Sequence, residues 1–92
     1  MTLKGPIKVI GCGLIGTSIA LRLKENGFEL ILADSNKKNL DLASDLLGVK
    51  GVSTEPALIL IAVPPDQVFE VAKSEFATYP KATFIDVSGI KS

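Results

Sequence analysis

"VIGCGLIGTS", Val9 to Ser18, sets three glycines, Gly11, Gly13 and Gly16, within six positions directly after a short apolar run. Ile7 to Ile10 is rich in β-branched residues and ends at Gly11, the pattern of a strand buried on both faces and closed by a turn. From Leu14 onward, Ile15, Ile19 and Leu23, with Gly16 and Ala20 beside them, share one helical face, and Arg22, Lys24 and Glu25 take the other. Gly27 is expected to end that helix.

The same alternation continues along the chain. Phe28 to Asp34 reads as a second strand, and Ser35 or Asn36 can cap a second helix whose inner face is Leu40, Ala43 and Leu47, with Gly48 just past its end. A short third strand fits around Val52, and a strong apolar run, Leu58 to Val63, makes a fourth. Pro64 and Pro65 stop it, Asp66 suits a helix N-terminus, and Val68, Val71, Ala72 and Phe76 trace the inner stripe of a third helix. Ala82 to Val87 reads as a fifth strand. Strands alternating with helices predict an α/β fold: a doubly wound parallel sheet of about five strands, order 3-2-1-4-5, forming one domain over residues 1–92.

The totals narrow the classes of partner. Ten Lys plus Arg balance ten Asp plus Glu, so no overall field draws in nucleic acid or an anionic membrane surface. The apolar run Ala57 to Val63 is far shorter than the ~20 residues of a membrane helix, and the N-terminus lacks the order of a signal peptide. A cytoplasmic address is the expectation. Cys12 is the only cysteine, which forbids an internal disulfide, and there is no histidine.

G-x-G-x-x-G acquires meaning from its place between a strand and a helix. Gly11 serves the tight turn, Gly13 the close approach of a pyrophosphate, and Gly16 the packing of helix on strand. The N–H groups of Leu14 and Ile15 at the helix start have no intrahelical acceptor, and the helix dipole adds positive potential. Asp34 ends the second strand close to the ~20 positions past the motif at which an acid of this fold binds the ribose diol. Its charge would repel a 2′-phosphate, so NAD is expected, with NADP the alternative because Lys37 and Lys38 lie near.

Val63 and Pro64 are expected to border the cofactor at the end of the fourth strand, where the strand order reverses. Thr17 and Ser18 either lend hydroxyls to a phosphate or satisfy local backbone. Cys12 reads as a small filler of the turn rather than a reactive thiol. Tyr79, Glu55, Glu70 and Glu75 match no acid-base pair or metal set, and neither a catalytic residue nor a metal ligand is assigned.

With "GCGLIGTSIA", "LILIAVPPDQV" and "ATFIDVSGIKS" in the same order, nearly the whole chain resembles the N-terminal domain of prephenate and arogenate dehydrogenases. The resemblance implies a Rossmann-type dinucleotide-binding domain and an NAD-linked oxidative decarboxylation. In it, hydride leaves the hydroxyl-bearing ring carbon for the nicotinamide, and loss of carbon dioxide aromatises the ring, in the tyrosine pathway. In that family the last segment reads like "DVGSVK", whose serine orients a catalytic histidine; here Gly89 stands in the serine's place and Ser88 one residue earlier, where it is counted with the cofactor-facing residues.

The family's histidine, and the helical domain that closes over prephenate or arogenate and forms the homodimer, have no counterpart in these residues. The chain is therefore expected to be the cofactor half of a longer enzyme, inactive alone. The alternatives are a β-hydroxyacid dehydrogenase-type cofactor domain, which "DVSG" could echo, a module that binds NAD or NADH without chemistry, and a methyltransferase binding adenosylmethionine.

Overall fold

The computed structural model describes residues 5–11, 13–48 and 55–87. They form β1 (Ile7–Ile10), α1 (Leu14–Glu25), β2 (Leu30–Ala33), α2 (Lys37–Leu47), β3 (Leu58–Ile61), α3 (Pro65–Thr78) and β4 (Thr83–Asp86). The strands make one parallel sheet in the order β2-β1-β3-β4. Four strands are described where about five were expected, and they neighbour one another as strands 2, 1, 4 and 5 of the expected order. The expected strand around Val52 lies outside the described residues.

The register explains why the strands read as unbroken apolar runs. Ile7 pairs with Leu30 and Leu58, and Val9 with Leu32 and Leu60, so these residues share one face of the sheet. There they pack with Ala20, Leu23 and Leu47 of α1 and α2. Ile10, Ile59 and Ile61 point the other way and meet Val68, Val71 and Ala72 of α3. Both faces of the central strands are covered, and Ile7, Val9 and Ile59 are at most 1% exposed. Burial on that scale stabilises by roughly 1.5–3 kcal/mol per side chain.

Lys8 breaks the apolar run of β1 on the α3 face. Its ammonium meets Glu75 Oε1 at 2.5 Å and lies 5.3 Å from the centre of the Tyr79 ring. A half-buried charge is tolerated here because an opposite charge and an aromatic face both meet it.

Local signals set the helix ends. Gly27 adopts φ +86°, its N–H bonds to Lys24 O, and the N–H of Phe28 bonds to Leu23 O, the double closure of a Schellman motif. Of the two candidate caps for α2 the fold uses Asn36, and Gly48 follows the last residue of that helix. The second strand and the two after α2 are each shorter than expected. Their pairing nevertheless continues past the strand ends, as in the bonds from Ala62 N to Ile10 O and from Val87 N to Ile61 O. Phe76, expected on the inner stripe of α3, is 59% exposed; its ring stands beside Phe84 of the edge strand β4, ring centres 6.0 Å apart. Among the described residues no helix is long and apolar enough to cross a membrane.

Candidate functional site: a cleft at the carboxyl edge of the sheet

After β1 the chain turns into α1 on one face of the sheet, and after β3 it turns into α3 on the other. The divergence of these two adjacent strands opens a cleft of about 570 Å³ at their carboxyl ends. Gly11, Gly13, Leu14, Ile15 and Gly16 line its middle. Asp34, Ser35, Asn36 and Asn39 form the β2–α2 wall; Ala62, Val63, Pro64, Pro65, Gln67 and Val87 form the wall opposite.

The three glycines of the turn are not equivalent. Gly11 has φ +101°, and a Cβ there would stand 2.6 Å from the carbonyl oxygen of Ala62. A Cβ on Gly16 would stand 1.8 Å from the carbonyl oxygen of Gly11. Both are demanded by the chain itself, one to let β3 lie against the turn and one to let α1 lie against β1. Gly13 is different: its φ of −74° suits any residue, and among the described residues no atom beyond its chain neighbours lies within 4 Å of where its Cβ would be. No described packing contact demands a glycine there, and Gly13 lines the cleft.

Gly13 is also the N-cap of α1, so that helix begins with no capping side chain. Its first-turn amides have no intrahelical acceptors, and they sit at the positive end of a twelve-residue helix dipole. Neutral N–H donors arranged this way suit a phosphate oxygen without any lysine or arginine.

Asp34 follows β2 directly and is half-buried in the wall of the cleft. Its Oδ1 accepts a 2.7 Å bond from the N–H of Asn36. The Asn36 side chain in turn accepts from the N–H of Lys38 at 3.0 Å and of Asn39 at 3.3 Å. The carboxylate is thereby tied to the loop that begins α2.

Of the residues expected at the site, Gly11, Gly13, Leu14, Ile15, Gly16, Asp34, Val63 and Pro64 come together around this one cleft. Ser88 lies outside the described residues, although Val87 before it lines the cleft. Cys12 also lies outside them. Ser18 spends its hydroxyl on Leu14 O at 2.8 Å, the local-backbone outcome. Asn39 and Gln67 were not anticipated. Each sits in the first turns of a helix that follows a strand, and every such turn of this topology opens on the same edge of the sheet; that was the signal available for them.

Residues 6–89 match the family model described as "NADP oxidoreductase coenzyme F420-dependent". The chain is 36% identical over 87 residues to "Probable prephenate dehydrogenase NovF" of Streptomyces niveus, which covers 90% of this chain. That relative carries the name the sequence motifs pointed to. The chain spans about a quarter of its length, 24%. No solved structure matches the chain.

Proposed function

This chain belongs to the coenzyme F420-dependent NADP oxidoreductase family, and we propose that it is the NAD-binding domain of a prephenate or arogenate dehydrogenase, holding the cofactor for a larger enzyme. An NAD(P)-binding oxidoreductase domain is what the family match and the fold support together. The narrower reading draws on the prephenate dehydrogenase relative and on "AVPP" after β3.

One observation carries the proposal. Among the described residues nothing packs against the missing Cβ of Gly13, yet a glycine stands there, at an uncapped helix N-terminus that lines the cleft. The fit to a diphosphate follows from those features: among the described residues, open space at the missing Cβ, and beside it uncapped first-turn amides with no intrahelical acceptor. When bound, the dinucleotide supplies the hydride acceptor. The protein's own part is to hold and orient it.

In this reading the first-turn amides of α1 take the diphosphate and Gly13 gives it room. Asp34 accepts from the hydroxyls of the adenosine ribose, and Val63 and Pro64 border the other half by apolar contact. A carboxylate at that place opposes a 2′-phosphate, so the proposed cofactor is NAD, although the family description names NADP. The histidine that such a reaction uses as its base has no place among these 92 residues, which contain none. Oxidation of prephenate is therefore assigned to the larger enzyme.

Calorimetric titration of the 92-residue protein with NAD tests the binding. Saturable binding at one site is expected, and its absence contradicts the proposal. NADH formation from prephenate or arogenate by an enzyme carrying this domain with a histidine-bearing continuation tests the chemistry. Turnover of a β-hydroxyacid instead would move the domain to that group.

A further inference from the structure

We propose that Asn36 is a specificity-determining residue that turns this domain away from NADP by keeping the backbone donors beside the adenosine ribose occupied. The inference rests on the reading of Asp34 as the ribose-binding carboxylate.

A phosphate on the 2′-oxygen would project beside the hydroxyls that Asp34 holds, against the wall built by Ser35, Asn36 and Asn39. A dianion placed there needs donors, and the start of a helix is the natural place to find them. At the start of α2 three of them are engaged. The N–H of Asn36 is given to Asp34 Oδ1, and those of Lys38 and Asn39 are both given to Asn36 Oδ1. The amide oxygen of Asn36 thus takes up two amides that a phosphate oxygen there would need, and the carboxylate of Asp34 takes up a third. Lys37 and Lys38, exposed on the first turn of α2, bring positive charge to the same neighbourhood. Rejection of the 2′-phosphate consequently depends on the filled donors together with Asp34, not on net charge.

Two substitutions separate these contributions. Asp34→Asn removes the charge while leaving an oxygen that can still accept from the N–H of Asn36. Asn36→Gly removes the cap oxygen, leaves that N–H in place, and costs a helix N-terminus little. Wild type, both single variants and the double variant are titrated calorimetrically with NAD and with NADP.

Wild type is expected to prefer NAD, and Asp34→Asn to narrow the gap. Adding Asn36→Gly to Asp34→Asn is expected to tighten NADP by about tenfold while NAD moves by less than about twofold, because only the 2′-phosphate gains the freed amides. Asn36→Asp keeps the cap and adds charge, so it is expected to weaken NADP with NAD unchanged. If NADP affinity is the same in Asp34→Asn with and without Asn36→Gly, or Asn36→Asp binds NADP as wild type does, the inference is overturned while the ribose assignment stands. If wild type binds no NAD, or Asp34→Asn leaves NAD affinity unchanged, the ribose assignment itself fails and this inference with it.

Discussion

Helices α1 and α2 both begin at the carboxyl edge of the sheet within four residues of a strand, yet they dispose of their first-turn amides in opposite ways. At α2, Asn36 folds its side chain back onto the N–H groups of Lys38 and Asn39. At α1 the corresponding residue is Gly13, which has no side chain to fold back. A glycine N-cap costs a helix only about a few tenths of a kcal/mol relative to asparagine, so the missing side chain at α1 is cheaply tolerated and leaves the first-turn amides uncapped beside the cleft. One terminus is capped by the protein's own side chain; the other, in the proposed reading, takes the cofactor.

The contrast can be broken most severely at Gly16. Its missing Cβ is what allows α1 to start against β1, and Gly16→Ala would drive a methyl group to 1.8 Å from the Gly11 carbonyl oxygen. Relief requires a backbone shift, so the expected loss is about 3 kcal/mol or more of stability, read from urea unfolding. An alanine variant as stable as wild type would mean that the close approach is not real.

Gly13→Val separates binding from folding. The new side chain enters open space, so unfolding should move by about 1 kcal/mol or less, the scale of a poorer N-cap. Affinity for NAD should fall by about a hundredfold or more, because the side chain stands in the path of the diphosphate. Retained affinity in a folded variant would place the dinucleotide elsewhere.

Next in size is Asp34→Ala, which removes both an acceptor for the ribose diol and a repulsion. NAD should weaken by roughly ten- to a hundredfold, matching a charge-assisted hydrogen bond, and the margin over NADP should shrink. An unchanged preference in paired titrations would show that another residue reads the sugar.

Asn36→Ala should give the smallest change. Uncapping α2 should cost about 1 kcal/mol in thermal or urea unfolding while NAD remains bound. Loss of NAD binding together with full stability would reverse the roles assigned to the two termini.

Much of this arrangement was legible in the residue pattern, for identifiable reasons. The runs Ile7–Ile10 and Leu58–Val63 announce strands covered on both faces, and Gly27 and Gly48 mark helix ends by the backbone they permit. Gly11, Gly13, Gly16 and Asp34 stand at fixed offsets from β1 and β2, so a local pattern reaches them. Asn39 and Gln67 do not, because only the assembled sheet brings α2 and α3 to one cleft. Phe76 shows the converse. Its spacing places it on the inner stripe of α3, but periodicity identifies a shared face and says nothing of how far the sheet beneath extends.

The difference between the two helix starts is tested most directly by following backbone amide resonances while NAD is added to the 15N-labelled protein. The account predicts saturable shifts that are largest at Leu14, Ile15 and Gly16, with smaller ones at Lys38 and Asn39, whose N–H groups are already held by Asn36. If the amides at the start of α1 stay where they are while NAD binds elsewhere, or if nothing shifts at all, the account is contradicted.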